Sequence, residues 1–392
     1  MAFRPIWWTL STPPLRQPPD RDKYRNRLLA SSDQNGSSGS RFALRHLPGS
    51  PPAAAFGVGH TGQITVSQVI QSAPFNPGVH RMYLKLVLTT CVLAFCAVVF
   101  SASARLSDAG LGCANWPACY EENALKQRQP PQANAPRTHT SWQWKLQNLA
   151  GLLLGILAVA VCGVSWQKRK ELRQSPLLPS LLLGLMAFLG IFGIWAFSHL
   201  PRPVIVEVHL AGGIALLMLL VWIALRQMSP AGATVSGEAR GWRGFSRLGL
   251  ALVLAQIMLG GWVSSNFAAL ACTEFPLCKG SLLPPMDFSY SLDNSGLPLS
   301  AERLTAIHWA HRAGALLTIL YLCWLSFKIM AAKGLRNIGK TILALLALQF
   351  ALGVSNVLLG LPLVGAVLHN AVAMLLLVTL VLLNFRLRKR KT

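Results

Sequence analysis

Acidic residues are what this chain has least of. Of 392 residues only 13 are Asp or Glu, against 36 Lys or Arg, which leaves a formal net charge of +23. Charged residues of both signs make up 12% of the chain and hydrophobic residues 53%, whereas an ordinary soluble domain carries about 25% charged residues. A soluble chain of this composition would have too little polar surface to stay dispersed, so the soluble globular classes are excluded. The basic excess is therefore read as a property of a membrane protein, with membrane lipid and not nucleic acid as its surroundings. Cysteine is also sparse. Eight residues are too few for a disulfide scaffold, although their placement carries information.

What is present is long apolar runs. Eight stretches are of about the 20 residues a membrane span needs: 83–104, 146–166, 178–198, 204–225, 248–267, 304–327, 341–360 and 364–385. Ahead of them, residues 1–81 are rich in Pro, Ser and Arg and have no sustained apolar period. That segment reads as a disordered basic leader: a transit-like sequence, or translation from upstream of a start at Met82. Lys and Arg crowd the segments at 167–177, 226–247, 328–340 and 386–391, and are sparser in the loops between them. By that bias both termini face the cytoplasm, in a cell inner membrane sooner than a mitochondrial one, and the long loops at 105–145 and 268–303 face the opposite side.

The chain also repeats itself. "LGCANWPACY" and "LACTEFPLCK" share the pattern Cys-x3-aromatic-Pro-x-Cys, with Cys272 placed 159 residues after Cys113. His369 follows His209 by 160. The expected architecture is all-α and integral to the membrane: eight transmembrane helices as two pseudo-symmetric four-helix bundles, 82–228 and 245–392, related by an axis along the membrane normal. Cys113 with Cys119, and Cys272 with Cys278, are candidate disulfides on the oxidising side, either as staples or as redox-active pairs.

Histidines are the strongest chemical signal. Ionisable residues within spans are costly and default to function. His209 and His369 each lie five residues into a span and His311 about seven into another. Imidazoles at one depth on facing helices suit axial ligation of haem iron. "HLAGGIA" and "HRAGALL" place small residues beside His209 and His311, where a flat ring could approach. Arg312 and Arg105 are candidates to pair with haem propionates, or simply to snorkel to the interface. His308 lies one turn before His311 and could line the same site.

These residues resemble the haem A synthase family of cytochrome oxidase assembly proteins, over about 83–385. The resemblance rests on "RLSDAGLGCANWPAC", "RPVIVEVHLAGGIA", "AIHWAHRAGALL" and "GAVLHNAVAMLLL". It implies an oxidoreductase that converts a haem O methyl group to the formyl group of haem A by successive hydroxylations. In the C-terminal half it implies haem b ligated by His311 and His369. In the N-terminal half it implies haem O as substrate and haem A as product, with His209 one of the ligands. An electron donor, and a haem O synthase or oxidase assembly proteins, are the implied partners.

One feature of the family is missing. Its second span carries Glu-x-x-His-Arg, whereas here "WKLQNLAGLLLG" places Trp144, Gln147 and Asn148 at those positions, and no Asp or Glu occurs between Glu122 and Glu171. Gln is a poor iron ligand. His139 and Glu207 are the weak substitutes in reach, Glu207 and His308 being the only candidates for a catalytic role. A haem b protein with an impaired N-terminal site, acting in electron transfer or oxidase assembly, is the alternative. A repeat-built transporter and a thiol oxidoreductase working through the loop cysteines are more distant ones.

Overall fold

The computed structural model describes residues 76–108, 142–172, 174–199, 202–228, 241–289 and 299–388, with backbone alone at 104–108, 142–144, 194, 196–199 and 202. Eight long helices account for most of them: α1 (Pro77–Asp108), α2 (Trp142–Gln167), α3 (Leu177–His199), α4 (Arg202–Met228), α5 (Arg243–Ser265), α6 (Ala301–Met330), α7 (Arg336–Leu358) and α8 (Leu363–Arg386). No strand occurs among the described residues beyond one isolated bridge between Cys278 and Ser281. Among the described residues seven helices are long and apolar enough to cross a membrane, and α3 adds a shorter apolar helix at Leu177–Gly193. The chain is a multi-pass membrane protein.

Local chemistry explains where the helices begin and end. Asn76 Oδ1 accepts from the amides of Gly78 at 3.0 Å and Val79 at 3.3 Å. Pro77 follows at the first helical position, where its missing N–H costs nothing. Helix α1 therefore starts ahead of Met82, and the boundary expected at residue 81 falls inside it. Ser300 caps α6 by accepting from the Arg303 amide at 3.3 Å, with Glu302 in the first turn where the helix dipole favours an anion. Helix α5 stops at Ser265, two residues short of the expected 267, because Phe267 takes a left-handed φ of 57° and turns the chain into a short 3-10 turn, Ala268–Leu270.

Helix α1 packs on α2 and α4, and α3 packs on the same two helices. In the second half α5 packs on α6 and α8, and α7 packs on the same two. Across the halves α8 touches α1 and α4, and α4 touches α5. Close approach at these seams depends on glycine. A Cβ at Gly261 of α5 would come within 2.6 Å of a Leu210 methyl on α4, and one at Gly339 of α7 within 2.9 Å of the Ser326 carbonyl on α6. Small residues of this kind let helix backbones meet where the bilayer offers no hydrophobic drive to press them together.

Candidate functional site

The C-terminal half brings His311 on α6 and His369 on α8 near enough to interact electrostatically. Each ring lies against a glycine of the helix preceding its own. A Cβ at Gly260 of α5 would sit 3.2 Å from His311 Cε1, and one at Gly353 of α7 would sit 3.2 Å from His369 Cε1. Each ring also meets a glutamine. The Gln256 amide lies 3.0 Å from His311 Nδ1 and donates to the His311 carbonyl at 3.0 Å. The Gln349 amide donates to His369 Nε2 at 3.1 Å. The second ring nitrogen of His369 and the carboxamide oxygens of both glutamines are buried and have no hydrogen-bond partner. Buried polar atoms are normally paired, so a cluster of orphans marks a site that expects something more.

The donor set indicates what that is. No group of three or more His, Cys, Asp or Glu able to hold a bare metal ion occurs among the described residues. Two imidazoles on separate helices, each with close glycine contact, fit instead a metal that brings its own equatorial ligands, as haem iron does. The residues present fit that group in the C-terminal half.

In the N-terminal half His209 on α4 is oriented differently. Its Nδ1 donates to the Ile205 carbonyl at 2.9 Å, which leaves the Nε2 lone pair available. Nε2 points at Gly193 of α3, where a Cβ would sit 3.0 Å away, and the ring stacks at an angle on Phe192, centroids 5.7 Å apart. Gly193 precedes Gly353 by the same 160 residues that separate His209 from His369. Gln147 on α2, at the position matching His311, buries its side-chain oxygen without a partner. Glu207 belongs to a different seam: a Cβ on Gly261 of α5 would come 2.5 Å from its Oε1, so it meets α5 while His209 meets α3.

Arg312 is engaged by protein. Its guanidinium donates to the carbonyls of Cys272 at 2.9 Å and Leu277 at 3.0 Å, and its Nε to His308 Nε2 at 3.2 Å. Those carbonyls belong to the loop closed by the Cys272–Cys278 disulfide, in which both cysteines are buried. Trp309 fastens the same loop by donating to the Leu282 carbonyl at 2.9 Å. One turn of α6 thus holds the loop over the end of the helix that carries His311. Cys113, Cys119 and His139 lie outside the described residues, and so do the side chains of Arg105, Trp144 and His199.

Gln256 and Gln349 were not among the residues singled out from the sequence. The signal was there: both stand in the pattern Gln-x-x-Leu-Gly, as "QIMLG" in α5 and "QFALG" in α7, ending on the glycine that touches the histidine. An uncharged polar residue in a span is easily passed over beside four histidines.

A family model described as cytochrome oxidase assembly protein matches residues 84–381. Haem A synthase of Shewanella oneidensis is 33% identical over 320 residues, covering 76% of this chain and 95% of that protein. Haem A synthases of Nitrosospira multiformis and Halalkalibacterium halodurans are each 27% identical, over 76% and 73% of this chain and 92% and 90% of their own lengths. By the span of the family match and the identity to these relatives, the chain belongs to the haem A synthase family of cytochrome oxidase assembly proteins.

Proposed function

We propose that this protein is a membrane oxidoreductase of haem A biosynthesis, oxidising a haem O methyl group to formyl, built as two pseudo-symmetric four-helix halves with both termini on the cytoplasmic side. The observation that carries the reading is the recurring histidine–glycine contact. His209 on Gly193, His311 on Gly260 and His369 on Gly353 are one device used three times, twice at the 160-residue repeat. The matching helix neighbours within each half support the two-bundle architecture.

In the C-terminal half His311 and His369 hold haem b, whose iron supplies one-electron redox chemistry when bound. In the N-terminal half haem O is the substrate and His209 its ligand. Hydrogen bonding of Nδ1 to the Ile205 carbonyl fixes the tautomer and directs Nε2 outward from its own helix. Gln147 offers a hydrogen-bonding carboxamide where the family has an imidazole. One imidazole would hold the substrate haem less firmly than a pair would, which favours its exchange over pure electron carriage. Arg312 and Trp309 hold the Cys272–Cys278 loop as a cover on the non-cytoplasmic end of the haem b site.

A second reading has an observation of its own. Gln147 and the lack of any acid on α2 remove a ligand and a proton carrier together, which favours a haem b protein that carries electrons or assists oxidase assembly. One experiment separates the two. The full chain is expressed with a haem O synthase, purified, and its haem extracted. Haem A or hydroxylated haem O is the expected result. Haem b alone, from well-folded protein, would overturn the enzyme reading in favour of the second.

A further inference from the structure

The two glutamines beside the C-terminal histidines have no counterpart in the N-terminal half. Gln256 is matched by Ala97 at the 159-residue offset and Gln349 by Leu189 at the 160-residue offset, although Gly193 still matches Gly353. Glycine contact with the ring is thus retained where the carboxamide is absent. The hydrogen bonding differs accordingly. His209 places its Nδ1 proton on a carbonyl of its own helix, Ile205, at 2.9 Å. His311 and His369 instead meet side chains from neighbouring helices, at 3.0 Å and 3.1 Å. Gln256 also holds the His311 carbonyl at 3.0 Å, and so ties ring and main chain to α5 together. Room for it is made by Gly314, where a Cβ would come 2.5 Å from the Gln256 oxygen.

A ligating imidazole needs a partner for its other nitrogen, and that partner sets the tautomer, the ring rotation and the basicity of the ligand. His369 Nδ1 has no partner while the Gln349 oxygen beside the same ring is also unpaired. Rotating a terminal amide exchanges its oxygen and nitrogen with little change of shape, so each carboxamide can serve either as donor or as acceptor to the ring. We propose that Gln256 and Gln349 are positioning residues that orient His311 and His369 and set the electron-donating strength of each as an axial ligand. In this way a haem held for electron transfer is distinguished from the substrate haem of the other half. The inference rests on the two-histidine haem b reading above.

The test uses the full chain, purified with its haem, as parent and as Gln256→Leu, Gln256→Glu, Gln349→Leu and Gln349→Glu. Leu is close to Gln in volume, and Leu189 of α3 stands at the position that matches Gln349. A carboxylate accepts from the ring and strengthens the ligand, while Leu can do neither. The readout is the midpoint potential of the low-spin haem. At each position the Glu variant is expected below the Leu variant, because a more basic ligand favours ferric iron. Equal potentials, Glu above Leu, or a Leu variant at the parent's own potential would overturn the proposal for that residue: a carboxylate lowers the potential by its charge alone, so the uncharged change to Leu must move it as well. Should a Leu variant lose its haem, Gln256→Met or Gln349→Met takes its place and is read in the same way. His311→Ala and His369→Ala are run in parallel. Retention of the low-spin signal in those would refute the ligand pair itself, a separate failure from that of the glutamines.

Discussion

The two halves of this protein start from one plan and diverge in the side chains set around their histidines. Both place a histidine early in their last helix and set a glycine of the preceding helix against it, His209 on Gly193 and His369 on Gly353. Among the described residues, only the C-terminal half adds a second histidine near the first. There the N-terminal half has Gln147, and where the C-terminal half has glutamines it has Ala97 and Leu189. Two strong ligands make a closed, six-coordinate site suited to electron transfer, whereas one leaves a position open. The difference teaches that the scaffold for approaching a flat ring, made of small residues and close helices, is separable from the donor set that decides what happens at the metal.

The most severe way to break the comparison is to remove one of the two proposed ligands of the C-terminal half. His311→Ala and His369→Ala should each abolish most of the low-spin haem b absorption of the purified protein. His209→Ala should leave that absorption intact, because its ring faces α3 and not α7. Loss of the C-terminal spectrum in the His209 variant would mean that the halves do not hold their haems independently.

Adding a ligand to the open side sharpens the same contrast. Gln147→His puts an imidazole where the buried carboxamide oxygen now lacks a partner. The expected outcome is a second low-spin component, raising haem per chain toward two when haem O is available. An unchanged spectrum from a well-expressed variant would show that the N-terminal half has been remodelled beyond this one residue.

Much of this was legible in the sequence, for physical reasons. Long apolar runs announce spans, and ionisable groups are too costly in a bilayer to be there idly, so the helices and the histidines stood out. Helix ends were harder, because polar and basic turns continue a helix beyond its apolar stretch: α5 begins at Arg243 and α7 at Arg336, each five residues ahead of the expected span. Angular spacing around α4 separates Glu207 from His209 by roughly 200°, but only the packing assigns one to Gly261 and the other to Gly193. The role of Arg312 could not be read at all. Nothing in its spacing from His311 reveals that the carbonyls of Cys272 and Leu277 fold back onto it.

Arg312 supplies the next and smaller effect. A guanidinium can serve two carbonyls and an imidazole at once, which an ammonium cannot do in the same geometry. Arg312→Lys should loosen the disulfide loop, at a cost on the order of 2 kcal/mol for the charged hydrogen bonds lost. The measurable consequence is faster reduction of Cys272–Cys278 by an external dithiol with the haem b spectrum retained. An unaltered reduction rate would show that Trp309 and the small apolar cluster of Val263, Ala268, Ala271 and Leu304 hold the loop without it.

The mildest effect comes from the outer part of the same loop. Asp287 accepts from Ser289, at 2.7 Å from its amide, and from Arg303 Nε at 2.9 Å. Those hydrogen bonds, Ser289 first and then Arg303, hold its carboxyl down to about 2 from an ordinary 3.8. A depressed carboxyl stabilises the ordered loop only while it is ionised. The contribution is therefore complete above about pH 4 and is lost as the pH falls through about 2. Because the group is exposed to solvent, the effect is local and salt-sensitive. Limited proteolysis in the loop, or Trp309 fluorescence, should report loosening over that acid window in the parent. Asp287→Asn should already be looser at neutral pH and flat across the window. A parent profile flat over the same range, or an Asn variant that still responds, would assign the acid sensitivity to another carboxylate of a chain that has few to choose from.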